Sequence, residues 1–277
     1  MSRTKAPFPK KSLGQNFLIS PSTVNHIVNA CSLKPGDTVL EIGPGRGALT
    51  GALSEKVHTV IAVEKDHRLV EHLRGELQGS NIQIVHDDIL DFPLSTLPRN
   101  TKIIGNLPYN IATLIIQAVI QERARFSDFF ATVQWEYGQR LTARPGTKTY
   151  GSLSCFVQYY ADPKILFKIK NTAFWPSPKV QSCFCHLKFP EKPHWQARNE
   201  GLLFKTIHAG FGQRRKTIGN ALSVLYGKER AARLLEKAKI NHRLRAENIS
   251  LEEFIRLADT AEEGYAKERD SGSTVKP

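Results

Sequence analysis

The chain contains 277 residues, with 39 lysines and arginines against 26 acidic residues and a formal net charge of +13 at pH 7. A chain of this length can bury a full hydrophobic core, and it favours two domains. The basic excess favours a polyanionic partner, although the same charge also suits a membrane surface. Because no apolar stretch could cross a membrane and the amino terminus lacks the apolar core of a signal peptide, we expect a cytoplasmic protein without membrane attachment.

The predicted elements form an alternating series. Residues 1–14 are basic and contain prolines, which predicts a flexible arm able to lie on RNA. A helix is expected over residues 21–30, and apolar runs then alternate with helical patterns, giving strands at about 38–42, 59–64, 82–85, 102–105 and 128–134. This order is typical of a mostly parallel sheet, in which ligands bind beyond the carboxyl ends of the strands.

The first predicted strand runs into a glycine-rich turn. Gly43, Gly45 and Ala48 fit the spacing of a dinucleotide-binding turn, and Glu64 follows about 20 residues later at a second strand end. An acid there can bind a ribose diol, so the pair indicates an adenosine-containing cofactor, with NAD and S-adenosylmethionine both open. A buried carboxylate needs a partner, so we expect Glu41 near the charged end of that cofactor.

Asp88 follows the next predicted strand. Its carboxylate could accept a hydrogen bond from the amino group of the cofactor's adenine, and Asp87 is the less favoured choice for the same role. Both acids also suit the capping of a helix or turn, and spacing does not separate these roles.

The residues Asn106 to Tyr109 follow the fourth strand and suit the binding of a base's amino group. The amide oxygen of Asn106 and the carbonyl of Leu107 could each accept one N–H, localising the nitrogen lone pair toward an electrophile. Pro108 stiffens the turn, and Tyr109 offers a flat face to an unstacked base. We expect the electrophilic group to pass directly and in line to this nitrogen, without a covalent enzyme intermediate. The alternative is that Asn106 caps the helix predicted over residues 111–121.

Beyond the predicted sheet core, residues 165–169 and 180–189 suggest a hairpin joined by a proline-rich link at 174–178. Phe174 and Trp175 in that link either stack on a base or anchor the loop. After residue 193 only helical patterns follow, near residues 200–209, 214–225, 228–238 and 250–260. We therefore expect one domain over 1–192 and a small helical domain over 193–277, with a disordered tail from about residue 262.

Two further groups of residues could have either a functional or a purely structural role. Arg214, Arg215 and Lys216 are predicted to begin a helix, where they would contact phosphates or form a solvated face. The cysteines are too few and too scattered for a disulfide framework, and their spacing with His186 does not suit zinc, so no metal is expected; they are Cys31, Cys155, Cys183 and Cys185.

Taken together, the motifs resemble the ribosomal RNA adenine dimethyltransferases of the KsgA/RsmA type, from the amino terminus to about residue 257. One departure is Trp135, which occupies a position that is usually basic in that family. The resembling segments are Gln15–Leu18, Glu41–Gly45 with Leu49 and Thr50, Glu64 with Asp66, Asp88, Asn106–Tyr109, Tyr150–Gly151 with Leu153 and Ser154, Phe174, Pro176, Pro178–Val180, Ser182 and Arg214–Lys216.

The resemblance implies a Rossmann-like class I methyltransferase with a seven-stranded, mostly parallel sheet and a small all-helical carboxyl-terminal domain. It implies that S-adenosylmethionine lies against Asn16, Leu18, Gly43, Glu64, Asp88 and Asn106. It further implies that Asn106 and Tyr109 serve the target adenosine, beside the Leu107 carbonyl expected from its chemistry. It also favours base stacking by Phe174 and phosphate contacts by Arg214, Arg215 and Lys216.

The activity implied is dimethylation of two adjacent adenosines in the loop of the 3′-terminal hairpin of small-subunit ribosomal RNA, within a pre-ribosomal particle. Nothing in the sequence demands more than a monomer. The alternatives are a large-subunit RNA adenine dimethyltransferase that confers antibiotic resistance, a mainly non-catalytic ribosome-assembly factor on the same fold, a DNA adenine methyltransferase and a nucleotide-dependent oxidoreductase.

Overall fold

A computed structural model describes residues 6–10, 13–77 and 81–270, leaving aside the side chains of residues 266–270. The chain divides into two compact units. The sheet unit consists of Met1–Gly138 and Ala161–Glu191, and the helical unit consists of Gln139–Tyr160 and Lys192–Pro277. Among the described residues, no helix is both long enough and apolar enough to cross a membrane.

The strands belong to the sheet unit. They are β1 (Phe17–Leu18), β2 (Thr38–Ile42), β3 (Thr59–Glu64), β4 (Ile82–His86), β5 (Thr101–Asn106), β6 (Phe126–Gln134), β7 (Asp162–Ile169), β8 (Phe174–Trp175) and β9 (Ser182–Lys188). The helices that accompany them are α1 (Pro21–Ala30), α2 (Ala48–Ser54), α3 (His67–Glu76), α4 (Ala112–Gln121) and α5 (Trp135–Leu141), the last of which continues into the helical unit.

Seven strands form one sheet in the order β4-β3-β2-β5-β6-β9-β7. Strands β2 to β6 are mutually parallel, and β9 runs antiparallel between β6 and β7. The nearly continuous burial of β2, β3 and β5 follows from their aliphatic runs, which are typical of strands covered on both faces. The predicted mostly parallel seven-stranded sheet is therefore confirmed, and its parallel strands end at one edge.

A second, two-stranded sheet pairs β1 with β8, with Phe17 opposite Trp175 and Leu18 opposite Phe174. This pairing ties the segment before α1 to the link between β7 and β9. The predicted helix over residues 21–30 matches α1, in which the Ser20 hydroxyl accepts a hydrogen bond from the Thr23 N–H.

The helical unit contains α6 (Ser152–Tyr160), α7 (Glu200–Gly212), α8 (Ile218–Tyr226), α9 (Lys228–Lys237) and α10 (Leu251–Asp270). Its core includes Tyr150, Cys155 and Tyr159, which pack with Leu203 and Phe254. These apolar contacts explain why residues 139–160 belong to this unit, although the expected boundary placed them in the first domain. The other boundary between the two units falls between Glu191 and Lys192.

Three predicted features differ from the structure. α10 extends to Asp270, with Ala261 buried and Tyr265 packed against the core, so the disordered tail expected from residue 262 is wrong for 262–270; residues 271–277 lie outside the described part. α8 begins at Ile218 with Thr217 as its N-cap, so residues 214–216 lie in the preceding turn.

The third difference concerns the predicted flexible arm over residues 1–14. Residues 1–5 and 11–12 of that arm lie outside the described residues. Within the described part, the Pro7 carbonyl accepts hydrogen bonds from the Arg46 guanidinium at 2.9 and 3.3 Å, and the Lys10 ammonium forms an ion pair with Asp66 at 3.3 Å. This part of the arm is therefore held against the sheet unit.

Candidate functional site

A cavity that opens to solvent lies at the carboxyl edge of the parallel strands. The ends of β2, β3 and β5 and the residues that follow β4 line it, together with the segment that leads into β1. Leu107 and Tyr109 line this cavity, and so does every residue predicted to bind the cofactor. The predicted cofactor residues are Asn16, Leu18, Gly43, Glu64, Asp88 and Asn106.

The glycine turn after β2 forms one wall of the cavity. Gly43 and Gly45 have φ angles of +67° and +59°, a region that side chains with a Cβ rarely adopt. A Cβ built on Gly43 meets no atom within 4 Å, whereas one on Gly45 would lie 2.9 Å from the Phe17 ring. The turn therefore leaves open space beside its backbone, where a ligand can approach closely.

Glu64 is fixed at the end of β3 by two backbone donors. Its Oε1 accepts a hydrogen bond from the Asp66 N–H at 2.9 Å, and its Oε2 accepts one from the Gly45 N–H at 3.2 Å. The side chain is buried, and burial raises the pKa of the carboxyl. These bonds hold the carboxylate still at the cavity wall, where its remaining lone pairs can accept hydroxyl donors.

Glu41, the fourth residue of β2, is a buried acid without sufficient partners. It is 2% exposed, and its Oε2 has no hydrogen-bond partner among the described residues. Burial is the main cause that raises the pKa of this carboxyl to about 8; the Thr50 hydroxyl opposes the rise, and the nearby Glu64 carboxylate adds to it. Since an unsatisfied buried carboxylate is costly, this wall suits a ligand that brings a positive charge or an N–H donor.

Two acids after β4 also line the cavity. Asp88 accepts a hydrogen bond from the Leu90 N–H at 3.0 Å through Oδ1 and is paired with the Lys65 ammonium through Oδ2. Lys65 holds the pKa of Asp88 below its usual range. Asp87 accepts the Asp88 N–H at 2.8 Å, so both residues make capping bonds while facing the cavity.

The turn after β5 is held by bonds on both sides. The Asn106 side-chain amide donates to the Asn16 carbonyl at 2.8 Å, and the Leu107 N–H donates to the Thr132 carbonyl at 3.1 Å. Because the Asn16 carbonyl can only accept, the NH2 group of Asn106 must face it, which leaves the amide oxygen as an acceptor with no partner among the described residues. The N-cap of α4 is Ile111, so Asn106 does not cap that helix.

Tyr109 is oriented by a partner that sequence reasoning missed. Its hydroxyl lies 2.9 Å from the hydroxyl of Ser182, the first residue of β9, which is fully buried. Burial raises the pKa of the Tyr109 phenol. The only sequence signal for Ser182 was its place in the proline-rich family motif, because its contact with Tyr109 depends on the pairing of β9 with β6.

A second residue whose role the sequence did not assign, Asp66, anchors the segment that leads into β1. Its carboxylate binds the Arg68 guanidinium at 2.6 Å, the Gln15 amide at 3.3 Å and the Lys10 ammonium at 3.3 Å. The bond to Arg68 contributes most to holding the pKa of Asp66 well below its usual range. Asn16, the residue after Gln15, thereby reaches the cavity.

The predicted RNA residue Phe174 is not presented to a ligand. It is 3% exposed, lies in β8 and packs in the core of the sheet unit. This placement contradicts the stacking prediction in the conformation described and fits the alternative that the residue anchors its loop. The neighbouring Trp175 is partly exposed and has the Arg46 guanidinium 4.6 Å from its ring centroid.

In the helical unit, Arg214, Arg215 and Lys216 are exposed in the turn before α8. Arg214 donates to the Lys148 carbonyl at 2.9 Å and lies 3.6 Å from a carboxylate oxygen of Glu247, so its charge is partly compensated. In the described part of the chain, no group of three or more histidine, cysteine or acidic side chains could hold a metal ion.

Comparison with known proteins gives consistent results. Residues 9–263 match the protein family described as ribosomal RNA adenine dimethylase. The chain is 39% identical to ribosomal RNA small subunit methyltransferase A of Moorella thermoacetica, over 93% of this chain and 94% of the relative.

Solved structures agree with this match. The structure of 23S rRNA methyltransferase ErmE is 25% identical with a TM-score of 0.72, covering 89% of this chain and all of that one. A dimethyladenosine transferase from Plasmodium falciparum shares the fold with a TM-score of 0.77 at 22% identity, covering 92% of this chain and 98% of that one.

The buried Glu41 predicts an unusual dependence of stability on pH in the free protein. Its folded-state pKa of about 8 exceeds the unfolded value, so between about pH 5 and pH 8 the folded state keeps a proton that the unfolded state has lost. The free energy of unfolding should therefore fall with rising pH, by up to about 1.4 kcal/mol per unit from this group.

The Glu41→Gln variant removes this contribution, so its stability relative to wild type should increase as the pH is raised through that window. Urea denaturation at about pH 5 and about pH 8 measures the difference. Equal changes in the two proteins would show that Glu41 does not titrate as a buried acid.

Proposed function

The chain belongs to the ribosomal RNA adenine dimethylase family, and we propose that it methylates two adjacent adenosines in the 3′-terminal hairpin loop of small-subunit ribosomal RNA, with S-adenosylmethionine as donor. The observation that carries the proposal is the side-chain amide of Asn106, which lines the same cavity as the glycine turn and whose NH2 group is bonded to Asn16, leaving its oxygen without a partner among the described residues. Relatives named small subunit methyltransferase A are 37–39% identical, which supports this substrate over the large subunit.

The cavity residues fit S-adenosylmethionine. The space beside Gly43 admits a ligand against the turn, the fixed Glu64 carboxylate suits the ribose hydroxyls, and the unsatisfied Glu41 oxygen suits the ammonium group. Asp88 remains the proposed acceptor for the adenine amino group. When bound, this cofactor supplies a methyl group on a sulfonium, which is an electrophile for an amine nitrogen.

At the target base, the protein's task is to orient the amino group. The Asn106 amide oxygen and the Leu107 carbonyl are the proposed acceptors for its two N–H bonds, which directs the nitrogen lone pair away from them. Because the turn is held before any ligand arrives, little reorganisation is needed. After the first methylation a single N–H remains, so one acceptor is unpaired and the pocket must admit the methyl group.

The RNA contacts of the helical unit are part of the same proposal. Arg215 and Lys216, with the partly paired Arg214, are the proposed phosphate contacts of the helical unit. Such contacts position RNA without reading its sequence. We also propose that the enzyme acts as a monomer on a pre-ribosomal particle in the cytoplasm.

The direct test is incubation with labelled S-adenosylmethionine and unmethylated small-subunit particles, followed by mass-spectrometric mapping of the modified bases. We expect dimethyladenosine at two adjacent positions of the 3′-terminal loop. Label in large-subunit RNA alone would favour the resistance-type alternative. Binding to the particles without any transfer would favour a non-catalytic assembly role.

The Asn106→Ala variant should lose at least about 100-fold in turnover, by analogy with the loss of one preorganised hydrogen-bonding group in other active sites. Thermal unfolding should show that the variant remains folded. Single-turnover kinetics on the same particles provide the measurement. Turnover close to that of wild type would remove Asn106 from the proposed chemistry.

The hydroxyl pair of Tyr109 and Ser182 predicts coupled effects of two substitutions. Tyr109→Phe and Ser182→Ala each delete the same hydrogen bond, so each should lower kcat by about 2- to 10-fold without changing cofactor affinity. The double variant should be no slower than the worse single variant. Independent, multiplying losses would mean that this bond does not orient Tyr109.

A further inference from the structure

A basic surface lies at the end of β7 and the start of β9, and we call it the β7–β9 patch. It consists of Lys168 near the end of β7, Lys170 just after it, Lys179 in the link before β9, and the neighbouring Trp135 and Val180. The three lysines are exposed, and Val180 is 43% exposed. All five residues belong to the sheet unit.

One lysine of the patch is held in place by an aromatic ring. The Lys168 ammonium lies 4.0 Å from the ring centroid of Trp135, and the backbone N–H of Trp135 donates to the Gln181 carbonyl at 2.8 Å. An ammonium over an indole face is attracted by the ring quadrupole, which limits the motion of a long side chain. Lys168 therefore presents its charge at a defined place.

The charge of the patch is uncompensated. Within the described residues, none of the three lysines forms an ion pair with a carboxylate, and Glu136, which follows Trp135 on α5, pairs with none of them. A soluble surface favours interspersed charges of both signs rather than a cluster of one sign. Three positive charges beside an aromatic ring and an exposed valine favour a single-stranded nucleic acid, which carries both phosphates and the flat faces of unpaired bases.

The strand register connects the patch to the target side of the cavity. Lys168 lies opposite Cys183, and Ile169 lies opposite Ser182, whose hydroxyl bonds to Tyr109. Gln134, the residue before Trp135, also lies opposite Ser182. The patch therefore lies one residue along the sheet from Ser182, the residue that orients the proposed base platform, with the side chains of Lys168 and Ser182 on opposite faces.

We propose that the β7–β9 patch binds the phosphates of the unpaired RNA strand that flanks the target adenosine. This inference rests on the proposed function and adds a contact surface to it. An adenosine that leaves its stack to enter the cavity leaves neighbouring phosphates at the cavity rim. Lys168, Lys170 and Lys179 hold that flanking strand, and the Trp135 ring fixes the central charge.

The test measures binding to unmethylated small-subunit particles at several KCl concentrations. The Lys168→Gln, Lys170→Gln, Lys179→Gln triple variant should bind more weakly, and the slope of log Kd against log salt should fall by about 2. The control variant replaces three other exposed lysines with glutamine. These are Lys34, Lys56 and Lys188, which lie near the amino ends of the parallel strands, away from the cavity. The control should keep the wild-type slope, and both variants should keep wild-type affinity for S-adenosylmethionine.

The role of the ring is tested separately. Trp135→Leu should weaken particle binding by about 2- to 5-fold with little change in salt slope, whereas Trp135→Phe should stay near wild type. Equal slopes for the patch variant and the control variant would overturn the proposal. The proposed function fails by a different result, namely the absence of dimethyladenosine in particles treated with the wild-type enzyme.

Discussion

The hydrogen bond from the Asn106 amide to the Asn16 carbonyl is the interaction on which the rest of the site depends. It orients the side-chain amide of the turn after β5, and it places the segment before β1 along the cavity. That segment is held at its other end by Asp66, whose carboxylate binds Gln15 and Lys10. The wall of the cofactor cavity and the acceptor for the target amine are thus parts of one bonded arrangement.

The same cavity concentrates groups that oppose folding in the free protein. Glu41 and Glu64 are both buried, and burial raises the pKa of each carboxyl. Asp66 behaves in the opposite way, because Arg68 and its other partners favour the charged form. The stabilising contribution of Asp66 is fully present above the pKa of the unfolded state. It is lost progressively as the pH falls from there through the lower pKa of the folded state. A ligand that supplies donors to Glu41 and Glu64 would favour their charged forms and stabilise the folded protein.

Much of this arrangement was predictable because it follows from local chemistry. Aliphatic runs that end in Gly43, Glu64, Asp88 and Asn106 predict parallel strands with polar groups at one edge, and the family match confirms the resemblance carried by these motifs. Features that depend on tertiary pairing were not predictable in this way.

The burial of Phe174 follows from the pairing of β8 with β1, and the bond between Ser182 and Tyr109 follows from the position of β9 beside β6. The predictions that residues 214–216 begin a helix and that order ends near residue 262 were wrong. Charge and polarity alone do not show which part of a helix packs against the core.

The central claim is that the turn after β5 is formed before any ligand binds. Hydrogen exchange of the Leu107 amide, which donates to the Thr132 carbonyl, tests it most directly. We predict that in the free protein this amide is protected as strongly as the core amides of β5, and that S-adenosylmethionine changes its exchange little. Rapid exchange in the free protein, slowed only when the cofactor is added, would show that the ligand assembles the turn and would contradict the claim.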